Sequence, residues 1–282
     1  MSYKKLFFPI GGGDELKERL YAALLIAKSL NIKLEVLKSS LKSNTALEKT
    51  LLPKELLTEV NEIMNINYKN ENEIFLKLFE KIASQHDLSF SLNNQDKTSL
   101  INLKIKEGIR SKLVEQESKF CDLVIAAAPP HGISTATFET AVLKSGKPVL
   151  MFPRKLKTFS LKSIIIGWNN STEASRALSS SISFLKKAQK VHIVSSYEYS
   201  EKEEAIKNIV AYLKEHDINA TYEIVQTTRI PGEALLNAAL NGNHDLIVAG
   251  AFGHNRGLKE LMFGGATRYL LENSTIPVFM SH

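Results

Sequence analysis

The chain has few of the residues that mark secreted or membrane proteins. It contains one cysteine among 282 residues, which excludes an internal disulfide and is typical of a reducing compartment. No uninterrupted apolar run reaches the roughly 18 residues that a membrane-spanning helix needs. The strand-like residues 6–10 follow the start of the sequence without a secretory leader. These absences predict a cytoplasmic protein that does not associate with membranes.

Catalytic and metal-binding motifs are also missing. The sequence has no Walker loop, no zinc-like spacing of Cys and His, and no nucleophile elbow. We therefore expect no catalytic residue, no metal site and no enzyme activity. Lys and Arg exceed Asp and Glu, 36 to 30, but the lysines are spread along helical faces without interleaved aromatics. This distribution is typical of solvated helices, so direct recognition of nucleic acid is not expected.

The sequence does contain an unequal internal repeat. Residues 121–128 (CDLVIAAA) return as residues 244–251 (HDLIVAGA), and each copy is followed by a Pro-Val segment. The interval from the aspartate of the repeat to that proline is 26 positions in the first copy, Asp122 to Pro148, and 32 in the second. The six additional residues lie in a glycine-containing loop at 250–265. This asymmetry places any ligand in the second copy.

Strands and helices are predicted to alternate through both halves. Apolar runs near residues 161–168, 191–194, 220–225, 246–249 and 278–280 predict five strands in the second half. The first half follows the same plan, with an enlarged helical region within residues 40–97. The pattern predicts an α/β protein of two tandem, open, five-stranded parallel sheets flanked by helices, with domains at residues 1–153 and 158–282.

The chain resembles the universal stress protein family in its tandem two-domain form. The resemblance rests on residues 166–171 (IGWNNS), on residues 229–234 (RIPGEA) and on the stretch from Asp245 to Val278. It is strong from about residue 161 onward and weaker before it. Nucleotide-binding members carry a G-x2-G-x9-G-[ST] motif, and Gly250 and Gly253 match its first two positions. The resemblance implies a Rossmann-like fold that binds adenine nucleotides, with the domains related by a pseudo-two-fold axis.

The candidate nucleotide site lies at the carboxyl ends of the second set of strands, where open α/β sheets bind ligands. Glycines after a strand let backbone N–H groups approach an anion, and a following helix N-terminus attracts negative charge. Such glycines can also serve only as tight turns. The candidate residues are Trp168, Asn169, Ile193, Pro231, Gly250, Gly253, His254, Gly264, Gly265 and Thr267. Core packing is the alternative for Trp168, and a solvated loop is the alternative for His254.

The second half departs from the family motif at three points. Ten residues instead of nine separate Gly253 from Gly264, and Gly265 replaces the hydroxyl residue, for which Thr267 offers a partial substitute. Asn169 stands where nucleotide binders have Asp, so one acceptor loses its charge. The loss of charge at Asn169 weakens its hydrogen bonds on the order of 1 kcal/mol each, and Gly265 loses one phosphate hydrogen bond. The sequence therefore predicts at most weak binding of ATP or AMP, and at most weak hydrolysis.

The first half has lost more of the motif. It reads Gly11-Gly12-Gly13 after the first strand, and its shortened fourth loop contains Pro129 and Pro130, which lack N–H donors. A lone glycine triplet could bind an anion, but we interpret this half as a degenerate, structural domain.

Two functions follow from these observations. The first is a cytoplasmic stress-response protein whose second domain is a weak adenine-nucleotide or anion sensor. The alternative is a scaffold that binds no nucleotide and acts through protein clients that the sequence does not identify. The resemblance also implies that Val149–Phe152 pairs with residues 278–280 (Val278, Phe279, Met280) within one chain. Further self-association as a homodimer is left open.

Overall fold

The structure is a computed structural model that describes residues 2–40, 54–93, 95–96, 98–197, 203–226, 230–253 and 265–282. In the first half the elements are β1 Lys5–Ile10, α1 Leu16–Leu30, β2 Lys33–Ser40, α2 Lys54–Gln85, β3 Phe90–Leu92, β4 Ile101–Glu107, α3 Arg110–Glu117, β5 Leu123–Ala127, α4 Ala136–Leu143 and β6 Val149–Phe152. In the second half they are β7 Ser163–Trp168, α5 Thr172–Leu185, β8 Lys190–Ser196, α6 Glu203–Glu215, β9 Ala220–Val225, α7 Pro231–Asn241, β10 Leu246–Gly250, α8 Gly265–Asn273 and β11 Val278–Ser281. Ser118–Phe120 and Pro130–Gly132 form short 3-10 helices.

The strands form one 11-stranded sheet in the order β3-β4-β2-β1-β5-β6-β11-β10-β7-β8-β9. Neighbouring strands within each half are parallel, as the alternation of strands and helices requires. The predicted α/β fold with parallel, open sheets is therefore confirmed. One difference is the short strand β3, which adds a sixth strand to the first half at the sheet edge.

The two halves meet where β6 and β11 pair antiparallel. Phe279 lies opposite Leu150, and both side chains are fully buried. The Phe279 ring lies 5.7 Å from Phe184 and 6.5 Å from Tyr3, between ring centroids. The Tyr3 hydroxyl donates to the Ser180 carbonyl at 2.5 Å, so the start of the first half packs onto α5 of the second. Burial raises the pKa of this phenol.

Helices cover both faces of the sheet because alternate strand residues are apolar on opposite sides. Ile164 and Ile166 face a cluster that includes side chains of α1, α2, α5 and α6. Ile165 faces a second cluster, which includes side chains of α3, α4, α7 and α8. Each half thus places its first two long helices on one face and its last two on the other. Within each half the carboxyl ends of the strands lie at one edge of the sheet, and because β6 and β11 run antiparallel, the two halves have these ends at opposite edges.

The region predicted to be enlarged in helix contains α2, which spans 32 residues. Phe75, Phe79 and Ile82 from its second half are buried against the first cluster. Its mean hydropathy is close to zero. In the described part of the chain, no helix is both long and apolar enough to cross a membrane.

Candidate functional site

The candidate crevice lies between β7 and β10. β8 lies on one side of β7 and β10 on the other, so the chain changes direction across the sheet at this point. Loops that leave two such strands diverge to opposite faces and open a gap above the sheet. The residues after Trp168 and after Gly250 border this gap.

The end of β7 leads into a capped helix. The Asn169 side-chain oxygen accepts from the Ser171 N–H at 3.2 Å, and the Ser171 hydroxyl accepts from the Ala174 N–H at 3.1 Å. Asn170 has a φ of 58°, a left-handed conformation that asparagine tolerates well. Ser171 is the N-cap of α5, as its place before the helical spacing predicts. The positive end of α5 therefore points toward the crevice.

Gly250 allows β10 to pass directly against this helix start. A Cβ at this position would lie 2.6 Å from the Ala174 nitrogen and 2.9 Å from the Glu173 carbonyl carbon. Any larger residue would force the strand and the first turn of α5 apart. Gly250 is thus required for close packing between strand and helix, and this packing brings the loop after β10 to the N-terminus of α5.

The first backbone donors of that loop are already paired. The Ala251 N–H donates to the Ser281 carbonyl at 2.9 Å, and the Phe252 N–H donates to the Thr267 hydroxyl at 3.2 Å. Phe252 is buried with a φ of 53°. These two N–H groups would have to leave their partners before they could bind a phosphate. Thr267 is 4% exposed, so its hydroxyl stabilises the loop from the core side.

A carboxylate that the sequence did not single out lies at the same place. Glu173, in the first turn of α5, is 6% exposed. Its Oε2 atom lies 3.3 Å from the position that a Cβ on Gly253 would take. A negative charge beside the second glycine of the motif opposes the binding of a phosphate at short range. No spacing rule marks Glu173, because first-turn glutamates are common at helix starts without any ligand.

Comparison with known proteins identifies this half of the chain. Residues 161–282 match the model of the universal stress protein family. The second half is therefore similar to a universal stress protein domain. The match confirms the resemblance where the sequence carries it most strongly, from β7 to β11.

Solved structures extend the likeness of the fold to the whole chain. A universal stress protein from Archaeoglobus fulgidus DSM 4304 is 16% identical, with a TM-score of 0.67, and the alignment covers 99% of this chain and 98% of that protein. A functionally unknown protein from Pseudomonas aeruginosa PAO1 is 17% identical, with a TM-score of 0.54 and coverage of 99% and 92%. No curated protein matches the chain. At these identities the structures show a shared fold and no more.

The remaining predicted residues of the universal stress domain take different places. Pro231 begins α7, where its missing N–H is harmless. Ile193 is fully buried inside β8, three positions before the strand end, so the structure places it in the core. Gly265 begins α8, and a Cβ there would meet no atom within 4 Å. His254 and Gly264 lie outside the described residues.

Trp168 lies between the two roles considered for it. Its ring packs against the first hydrophobic cluster, while its Nε1 atom is buried and has no hydrogen-bond partner among the described residues. A buried indole N–H without a partner costs free energy unless a ligand or water accepts from it. The Trp168 ring therefore packs in the core, and its N–H group is left to donate to a ligand. Among the described residues, no group of three His, Cys, Asp or Glu side chains is arranged to hold a metal ion.

Proposed function

We propose that the protein is a cytoplasmic stress-response protein whose second half senses an adenine nucleotide, or another small anion, with low affinity. One observation carries the proposal: the close packing at Gly250 joins the loop after β10, the capped N-terminus of α5 and Asn169 in one crevice. The positive helix end provides a general attraction for anions, and the unpaired Trp168 N–H offers a donor.

The same geometry favours weak over tight binding. The Ala251 and Phe252 N–H groups are paired within the protein, and Glu173 adds a negative charge beside Gly253. A nucleotide must compete with two hydrogen bonds and with that charge. We expect dissociation constants of about 1 mM, equivalent to about 4 kcal/mol of binding free energy. Such an affinity would suit a sensor of large changes in nucleotide concentration.

Calorimetry with ATP and AMP tests the proposal. The double variant Asn169→Asp, Gly265→Ser restores one charged acceptor and one hydroxyl, and the open space at Gly265 accommodates the serine. We expect it to bind ATP more tightly by about 2–3 kcal/mol, or about 30- to 150-fold. The control, Asn243→Asp, adds the same charge in an exposed turn at the opposite edge of the sheet and should leave affinity unchanged. A folded double variant with no gain would refute nucleotide sensing here.

A scaffold without a nucleotide is the second candidate. It is favoured by the paired loop amides, which form a closed network with Ser281 and Thr267. In that case the protein would act through client proteins. If calorimetry detects no heat of ATP binding to either the wild type or the double variant, the result would support the scaffold. Neither proposal includes an enzymatic step.

A further inference from the structure

The glycine triplet after β1 is held by an arginine side chain. Arg19, in the first turn of α1, donates from Nη2 to the carbonyls of Gly12 at 3.0 Å and Gly11 at 3.2 Å. Its Nε donates to the Glu15 carbonyl at 3.3 Å. Among the described residues, the Nη1 group of Arg19 makes no hydrogen bond. One guanidinium is therefore fixed at the carboxyl edge of the first half with donors to spare.

A second guanidinium lies against the same loop. Arg110 begins α3, and a Cβ on Gly11 would overlap its guanidinium group, so the two residues are in direct contact. Its Nε donates to the Ser39 hydroxyl at 3.1 Å. Among the described residues its Nη1 and Nη2 groups have no hydrogen bond and the side chain has no ion pair. Burial lowers the pKa of Arg110, and no neighbouring carboxylate offsets this effect.

A third arginine completes the cluster. Arg154 follows β6 and forms an ion pair with Glu15, while its Nη1 and Nη2 groups donate to the carbonyls of Ala128 at 3.2 Å and Asp14 at 2.8 Å. All its nitrogens are thus committed to the protein. Arg154 positions the end of the glycine loop and adds positive charge, but the free donors belong to Arg19 and Arg110.

The three charges are close enough to affect one another. The pKa of Arg19 is lowered by burial first, and then by Arg154 and Arg110. Glu15 and Asp14 offset only part of this charge, and Glu15 is shared with Lys155 at 3.1 Å. Partly buried like charges are costly unless an anion neutralises them. A cluster of this kind is suited to bind an anion.

We propose that Arg19, Arg110 and Arg154 form a binding site for a phosphate-bearing small molecule at the carboxyl edge of the first half. Arg110 presents Nη1 and Nη2 as a planar fork, which matches two oxygens of a phosphate. Arg19, which donates from Nη2 to the carbonyl of the same Gly11, supplies the second guanidinium. This site uses side-chain guanidinium groups, in place of the glycine-loop amides that this half lacks, and it is independent of the function proposed for the second half.

Titration with inorganic pyrophosphate at constant ionic strength tests the site. We expect saturable binding of one equivalent in calorimetry. Arg110→Gln should weaken it at least tenfold, and Arg110→Lys, which keeps the charge but loses the fork, should weaken it less. The matched control is Arg176→Gln, which removes the same charge from an exposed position of α5 and should change affinity less than twofold. Equal losses in the Arg110→Gln and Arg176→Gln variants would overturn the proposal, because they would indicate only general positive charge.

Three further measurements separate binding from packing and phosphate from other anions. Gly11→Asp places a carboxylate against Arg110 and should abolish pyrophosphate binding in a folded protein. Pyrophosphate should raise the Tm of the wild type but not of the Arg110→Gln variant. If Arg110→Gln lowers the Tm and leaves the pyrophosphate affinity unchanged, Arg110 serves packing and the site is refuted. Citrate, as a tricarboxylate, should bind more weakly, and tighter binding of citrate would refute the assignment to phosphate.

Discussion

The carboxyl edges of the two halves have the same place in the fold and opposite charge. The first gathers three arginines around Gly11, whereas the second places the buried carboxylate of Glu173 beside Gly253. In the first half the anion donors are side chains, while in the second the described loop amides are paired internally. Loss of the glycine motif in one half therefore need not mean loss of binding, and its retention in the other need not mean tight binding.

The antiparallel seam between the halves gives the largest expected effect. Phe279→Ala removes a fully buried ring at the seam, which lies beside Tyr3 of the first half and Phe184 of its own half. We expect a loss of about 3–5 kcal/mol in the free energy of unfolding, measured with urea. Phe120→Ala, at a residue that is 74% exposed, should change it by less than about 0.5 kcal/mol. Similar small losses in both variants would mean that the seam does not hold the halves together.

Acid should destabilise the second half through His244. Burial lowers the pKa of this residue to about 4, while in the unfolded chain it is near 6.5. Between these values the unfolded state binds the proton, so stability is complete above pH 6.5 and is lost as the pH falls toward 4. The loss amounts to about 3 kcal/mol.

The measurement is the difference in urea stability between the wild type and His244→Gln from pH 7 to pH 4. This difference should shrink on acidification, because the variant has no imidazole to protonate. His131→Gln, at an exposed residue of the first half, should follow the wild type throughout. If the urea stabilities of the wild type and His244→Gln change with pH in the same way, His244 is not the group that causes the loss in acid.

The shortened loop of the first half contacts the second half at one glycine. Gly132 has a φ of 69°, and a Cβ there would lie 2.6 Å from the Glu272 Cα atom of α8. Gly146 has a similar φ of 65° but open space around it. Both alanine variants should lose about 1–2 kcal/mol from backbone strain. Gly132→Ala should lose at least about 1 kcal/mol more, because the backbone of α8 must move. Equal losses would show that this contact can relax freely.

Removal of the carboxylate in the second crevice gives the smallest effect and sharpens the comparison. Glu173→Gln should strengthen ATP binding by about 1 kcal/mol, or about fivefold, since the neutral amide no longer opposes the phosphates. Glu18→Gln makes the same change at an exposed residue of α1 and should have no effect on ATP affinity. The ATP affinities of both variants are measured by calorimetry at constant ionic strength. A weaker affinity after Glu173→Gln would mean that the carboxylate assists binding.

The fold could be predicted from the sequence because its signals are local. Apolar runs such as residues 164–166 predict a buried parallel strand, and Ser171 before a helical pattern predicts a helix start, which the structure has at Thr172. The strand β3 was missed because three residues carry too little periodicity to predict a strand. The family signature in the second half is local as well, since its glycines follow a strand at fixed spacing.

The charge of each site was decided only by tertiary structure. Arg19, Arg110 and Arg154 are separated by 91 and 44 positions, and Glu173 precedes Gly253 by 80. Parallel strands bring their carboxyl ends to one edge whatever the length of chain between them, so these neighbours have no spacing that a sequence pattern could reveal. Apart from β3, the sequence alone determined the order of strands and helices, and it predicted the strand ends at which a ligand would bind. Whether that place attracts or repels an anion depends on which distant side chains the sheet brings to it.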